Sequence, residues 1–257
     1  MMKITADVRR GELQLTSRDI KMFAALETWG VLGIGQLVGL GLEGALAEAE
    51  RVERFFNKME RDDYELGIAR RIHALEMGGY IHGHVFLRQP KAFTLAARGF
   101  AELSGEPRER QADVRYEVSE ALISHDLKLS AVGLVLTEIL RQPARREHPH
   151  IVWVRAGGRQ RISRQGAADL VIGSSESKAI EIELTQKSKG RYREIFDSYR
   201  RRQGISAVLY LTGWPGGAAM ILKNARAQRA PFVYACALEE FRRTAGRCVF
   251  RGAVEGR

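Results

Sequence analysis

The sequence predicts a mixed α/β (α+β) chain in two parts: helices and a hairpin over residues 1–105, then alternating strands and helices over 112–257. Three observations carry this. Before position 105 the apolar residues recur at the spacing of amphipathic helices, interrupted by one pair of short extended runs. Ser104-Gly105-Glu106-Pro107-Arg108-Glu109-Arg110-Gln111 is polar, with a glycine and a proline, and reads as a linker. Beyond it, short apolar strands alternate with helical stretches, the pattern of an α/β sandwich around a mixed sheet.

Thr16-Ser17-Arg18-Asp19, ahead of Ile20, Met22, Phe23 and Leu26, predicts a capped first helix. Thr16 is the N-cap, an acid follows three residues on, and Trp29-Gly30 is the stop. Residues 31–38 predict a short second helix. Gly33, Gly35 and Gly39 lack the spacing of a dinucleotide fingerprint, and no strand of a βαβ unit precedes them. A long helical pattern runs from 42 to 61, and Asp62-Asp63 opens a further helix over 64–77. On it Leu66, Ile68, Ile72 and Leu75 form the packing face, Arg70 and Arg71 point away, and Gly78-Gly79 ends the run. Tyr80-Ile81 and residues 85–95 make a two-stranded hairpin with Arg88 and Lys91 at its tip, and a helix over 96–103 follows.

Helix, helix, arginine-bearing helix, hairpin is the order of a winged helix-turn-helix. In that arrangement the arginine-bearing helix enters the major groove of DNA and the hairpin tip touches backbone or minor groove. Arg70 and Arg71 are therefore the candidate groove contacts, Arg88 and Lys91 the candidate phosphate contacts, and Arg61 a further DNA-binding candidate. The competing reading is a small helical domain with solvated arginines.

In the second part, 116–140 reads as helix, interrupted near Ser124, with Asp126 as a first-turn acid matching the helix dipole. Residues 142–149 read as a charged loop. Strands are predicted over 151–155, 168–172, 178–185, 205–211 and 232–237, helices over 187–202, 218–228 and 238–243, and a frayed tail after Arg251. The run 178–185 alternates with period two, so Ile180, Ile182 and Leu184 share one face and Glu181, Glu183 and Thr185 the other. Two glutamates two positions apart repel across the same patch of sheet. That face therefore requires something positive, or a hydrogen-bond donor, in front of it. Asp169 on the neighbouring strand is a third acid for the patch. In the competing reading these acids are ion-pair partners of Arg155, Arg161, Arg164, Arg191 and Arg193.

A net charge of +10 and a pI of about 9.9 point to a polyanionic partner. Nucleic acid is favoured over a membrane surface, because no basic helix carries an opposing aromatic and leucine-rich face. No window approaches 18 consecutive apolar residues, and the first sixteen hold Asp7, Arg9, Arg10 and Glu12 with no apolar core. Neither a membrane span nor a secretory signal is expected, and Cys236 and Cys248 are expected as free thiols in a reducing cytoplasm. His82-Gly83-His84 and His148-Pro149-His150 lack a nearby third zinc ligand. The motifs of P-loop NTPases and α/β-hydrolases are missing.

Four stretches stand together: the N-terminal winged helix, Ser124-His125-Asp126-Leu127, Ala168-Asp169-Leu170-Val171, and Ala179-Ile180-Glu181-Ile182-Glu183-Leu184-Thr185 running into a basic helix with Tyr192 and Tyr199. In this combination the chain resembles the replication-relaxation family of plasmids and other mobile elements, which overlaps with plasmid mobilisation accessory proteins. The resemblance covers about residues 15–211. The second part also resembles the PD-(D/E)xK, restriction-endonuclease-like fold, whose core is an αβββαβ mixed sheet. That resemblance implies an acid on one strand and an E-x-K on the next, holding one or two Mg²⁺ ions that polarise the scissile phosphate and activate water. Carried over, Asp169 matches the first acid and Glu181 the motif glutamate, and the lysine position falls on Glu183. If Glu183 is the motif glutamate instead, Thr185 replaces the lysine, and Lys187 or Gln186 at the helix mouth is left to supply the missing group. Asp169, Glu181 and Glu183 are thus the metal candidates, and Lys187 joins them as a catalytic candidate.

The expectation is a DNA-binding protein of a mobile element, acting in replication, mobilisation or transcriptional control, with a degenerate nuclease-like domain. The alternative is a Mg²⁺-dependent endonuclease targeted by the winged helix. The expected partners are double-stranded DNA, a relaxase or replication protein and a second copy of the chain, in the bacterial cytoplasm and without a membrane.

Overall fold

The computed structural model describes residues 13–42, 53–56, 67–87, 89–105, 115–118, 120–140, 145–146, 152–155, 158–159, 168–172 and 177–253. Arg61, Arg88, Leu66, most of the 42–61 helix and most of the linker lie outside them. In chain order the elements are α1 (Ser17–Trp29), β1 (Leu32–Gly33), α2 (Ile34–Gly41), α3 (Gly67–Met77), β2 (Ile81–His84), β3 (Ala92–Leu95), α4 (Ala97–Ser104), β4 (Arg115–Glu117) and α5 (Glu120–Leu140). Then come β5 (Arg145–Arg146), β6 (Val152–Arg155), β7 (Gly158–Arg159), β8 (Leu170–Ile172), β9 (Ser177–Glu183) and α6 (Lys189–Arg201). The chain ends with β10 (Ile205–Thr212), α7 (Gly217–Ala227), β11 (Val233–Ala237), α8 (Leu238–Arg243) and β12 (Arg251–Gly252). The protein is therefore of mixed α/β class, and its chain divides into two units, residues 1–130 with 149–161 and residues 131–148 with 162–257.

The first unit begins as its sequence predicts. Thr16 Oγ1 accepts from the Asp19 backbone N–H at 3.3 Å, and Asp19 Oδ2 accepts from the Thr16 N–H at 2.6 Å, closing a capping box. Gly30 stops α1 at φ 75°, a left-handed conformation that costs a residue without a Cβ nothing. The expected second helix starts late. Leu32 and Gly33 pair antiparallel with Phe93 and Ala92 before the chain turns into α2, and β2 pairs with the other side of β3. The three-stranded sheet has the order β1-β3-β2.

Two expectations fail at the start of the second part. Tyr116 lies in a strand, in register with Trp153 of β6, because antiparallel pairing across β4 and β6 outweighs the weak helical period there. Then α5 runs unbroken through Ser124, so Asp126 is a buried residue of the second turn rather than a first-turn acid. The division of the chain accordingly falls between Ser130 and Ala131 inside α5, not at 105–112. Buried hydrogen bonds explain this. Gln36 Nε2 donates to the Leu127 carbonyl at 2.7 Å, and Ser130 Oγ donates to the Val31 carbonyl at 2.8 Å. Ile123 and Leu127 share a core with Val31 and Ala92.

The second unit is built on a six-stranded sheet of order β12-β11-β10-β9-β8-β5. β8 runs antiparallel to β5 on one side and to β9 on the other, whereas β9, β10 and β11 run parallel through the crossover helices α6 and α7. The expected strand at 151–155 is not in this sheet; it pairs with β4 and β7 in the first unit. Part of the expected charged loop is β5 instead, and the expected frayed tail starts in β12, pairing with β11 through Tyr234 and Ala235, while its residues from 254 on lie outside the described ones. One face of the sheet is covered by α6 and α7, whose Tyr192, Phe196, Tyr199, Ile221, Leu222 and Ala225 pack on Ala179, Val208, Tyr210, Val233 and Ala235.

Candidate nucleic-acid interface and acidic cluster

The first candidate surface belongs to α3 and the hairpin after it. Ile68, Ala69, Ile72 and Leu75 bury one side of α3, which turns Gly67, Arg70, His73 and Met77 outward along one stripe. Arg70 thus lies on the open face, as expected, with no ion-pair partner among the described residues. His73 shares the stripe and was missed, although its i+3 spacing from Arg70 was readable.

Arg71 corrects the expectation that both arginines point away. Its Nε donates to Asp19 Oδ1 at 3.0 Å, and one terminal nitrogen donates to Asp19 Oδ2 at 2.7 Å and to the Gln14 carbonyl at 2.6 Å. Successive helical residues lie about 100° apart, so a neighbour of an outward side chain can still reach the flank of the core. Burial alone would push the Asp19 carboxyl up, but the Arg71 fork and the Thr16 donors offset this and hold it below the usual range. Arg71 ties α3 to the cap of α1.

Lys91 is similarly engaged. It stands beside β3 rather than at the hairpin tip, with Nζ 2.7 Å from Glu76 Oε2 of α3 and 5.2 Å from the Phe93 ring centroid. His84 Nε2 lies 2.9 Å from Thr94 Oγ1, and burial followed by the neighbouring His82 pushes its pKa down to about 4.

The acidic cluster lies in the second unit, with Glu183 buried and Glu181 and Asp169 half-buried. Parallel pairing sets Tyr210 of β10 beside Glu181, and α6 brings Tyr192, Phe196 and Tyr199 over that face. Ser188 caps α6 by accepting from the Arg191 N–H at 3.2 Å. The Tyr199 hydroxyl donates to Glu181 Oε1, and Lys187 Nζ donates to Glu183 Oε2. The Lys187 backbone N–H donates to the Tyr192 hydroxyl at 3.1 Å, which fixes the helix mouth. Asp169, just before β8, accepts from the Ile182 N–H at 2.7 Å. The repelling acids thus meet the donors and the cation that their spacing demanded. Arg191 does not serve them, because it pairs with Glu194 at 2.8 Å on the outer side of α6.

Burial, and next the charge of Asp169, pushes Glu181 up to about 8, with Tyr199 and Lys187 acting in the opposite sense. Burial and then the Glu181 charge raise the Tyr199 and Tyr210 hydroxyls well above the usual phenol range. The Tyr210 hydroxyl is buried and finds no hydrogen-bond partner among the described residues. Among those residues no group of three or more His, Cys, Asp or Glu side chains converges where a metal ion could sit. The tyrosine cover and the Lys187 contact occupy the carboxylates that an Mg²⁺ set would need, so the arrangement as it stands does not fit that ion.

Among the described residues no helix is long and apolar enough to cross a membrane. Cys236 and Cys248 are both free thiols. Comparison with protein-family models, with characterised proteins and with solved structures gave no match.

Proposed function

We propose that this chain is a DNA-binding protein of a plasmid or other mobile element, reading duplex DNA through a winged helix and carrying a nuclease-like domain without chemistry. The observation that carries the reading is the order α1–β1–α2–α3–β2–β3 with sheet order β1-β3-β2, which leaves the Arg70 stripe of α3 outward beside the hairpin. The net charge of +10 supports it. In the second unit, antiparallel β8 and β9 followed by α6 and parallel β10 support the nuclease-like reading, with β5 standing where the 151–155 strand was expected, and the hydrogen bonds on the acidic face support a scaffold role. Replication, mobilisation or transcriptional control in the bacterial cytoplasm is the setting that the motif resemblance suggests. A relaxase or replication protein and a second copy are the further partners.

The test is duplex binding by fluorescence anisotropy across a salt series. Arg70→Ala is expected to weaken binding by about 1–3 kcal/mol if it reads a base, or to flatten the salt slope by about one if it holds a phosphate. Unchanged affinity and slope would remove α3 from the reading role.

A second reading, a Mg²⁺-dependent endonuclease, is favoured by one observation: Lys187 reaches Glu183 beside Glu181 and Asp169. Incubating supercoiled plasmid with Mg²⁺ or Mn²⁺ decides it. Nicking by the wild type that Asp169→Ala loses would establish cleavage and refute the scaffold reading.

A further inference from the structure

We propose that the tip of the β2–β3 hairpin is an apolar wedge that enters the minor groove of duplex DNA and bends it; this rests on the DNA-binding reading above. Large apolar side chains are normally kept from water when they cluster. Among the described residues four stand out as exposed, and three of them fall between positions 77 and 87: Met77 at 75%, Val85 at 82% and Leu87 at 78%. Between Val85 and Leu87, Phe86 is turned inward. It packs against the core of Val31, Ala92, Ile123 and Leu127, and its ring stacks on His84 with centroids 6.2 Å apart. Anchoring the middle residue holds its two neighbours outward.

The base of the hairpin is equally fixed. Lys91 pairs with Glu76 at 2.7 Å, His84 meets Thr94 at 2.9 Å, and Phe93 is buried. The projection is therefore stiff, which keeps the entropic cost of inserting it low. Its charge selects the occupant. From Met77 to Ala101 the sequence has no Asp or Glu and carries Arg88, Lys91 and Arg98. A rigid apolar tip on a segment whose own charged residues are all cationic, Lys91 being paired with Glu76 of α3, suits a polyanion with an apolar interior to open. Side chains of this kind inserted between base steps unstack them and kink the duplex.

The test uses the full-length protein and ligase-catalysed ring closure of a fragment of about 120 bp, shorter than the persistence length of DNA of about 150 bp. Binding is followed in parallel by gel retardation. The wild type is expected to speed ring closure by about tenfold or more. The double variant Val85→Ser/Leu87→Ser is expected to keep its circular dichroism spectrum and bind within about threefold, because phosphate contacts carry most of the affinity, yet close rings no faster than DNA alone. Binding without ring closure by the wild type, or equal closure by the variant, would overturn the wedge and leave the DNA-binding reading standing. No retardation of the fragment would overturn that reading, and the wedge with it. Ring closure unaffected by the substitutions, with loss of a wild-type dimer in sedimentation or of flotation with anionic vesicles, would reassign the tip to a second copy or a lipid surface.

Discussion

Replacing Glu181 by glutamine should change how the stability of the protein depends on pH. In the folded chain this carboxyl is pushed from an ordinary value of 4.5 up to about 8, by burial first and by Asp169 second. The groups facing it are Asp169 ahead of β8, Glu183 on β9, Lys187 and Tyr199 from the α6 side, and Tyr210 on β10. Because the folded value lies above the unfolded one, the folded state holds the proton more tightly. The contribution is fully present below about pH 4.5 and is lost as pH rises through about 8. Each pH unit between is worth about 1.4 kcal/mol, so raising the pH from about 5 to about 9 should remove roughly 3–4 kcal/mol from the wild type through this group. Glutamine keeps the shape and a donor-acceptor head but cannot ionise. The variant should thus match the wild type within about 1 kcal/mol near pH 5 and exceed it by about 3 kcal/mol near pH 9. The assay is urea unfolding of both proteins at half-unit pH steps, comparing differences so that every other titrating group cancels. A constant difference between the two curves across that window would refute the reasoning, since it would mean that Glu181 is ionised in the fold throughout.

Arg71→Ala should cost about 3 kcal/mol in unfolding free energy, because it strands the buried Asp19 carboxylate, and Asp19→Asn in the same background should recover part of the loss. A loss of less than about 1 kcal/mol would return Arg71 to the surface arginines. Tyr210→Phe removes a buried hydroxyl that has no partner among the described residues, so the variant should be as stable as the wild type or up to about 2 kcal/mol more stable. Thermal unfolding checks it, and a clear destabilisation would show that the hydroxyl is bonded in solution.

How much could be read from the sequence depended on the range of the interactions. The capping box of Thr16 and Asp19 and the stop at Gly30 involve neighbours, and they were legible residue by residue. The period-two run at Glu181 and Glu183 was legible too, down to its need for a donor in front. The donor's identity was not, because Tyr199 lies 18 positions on and reaches Glu181 only once α6 has crossed over the sheet. Arg71 failed for the same reason. Its partner Asp19 is 52 positions away, and nothing local separates it from Arg70. The boundary inside α5 rests on Gln36 and Ser130, two buried polar side chains whose bonds span 91 and 99 positions. Local pattern places elements, whereas long-range polar contacts decide which unit an element joins.

The same contacts bear on the choice between scaffold and enzyme. Carboxylates on neighbouring strands need compensation, and in the fold they receive it from within the chain: an ammonium at Glu183, a phenol at Glu181 and a backbone N–H at Asp169. The raised value of Glu181 favours its protonated form at neutral pH, which lessens the repulsion among the three acids. A divalent cation entering there would have to displace a proton from Glu181 and separate Lys187 from a glutamate that is only 4% exposed. A cleaving site would have to undo these contacts, whereas the scaffold reading leaves them in place.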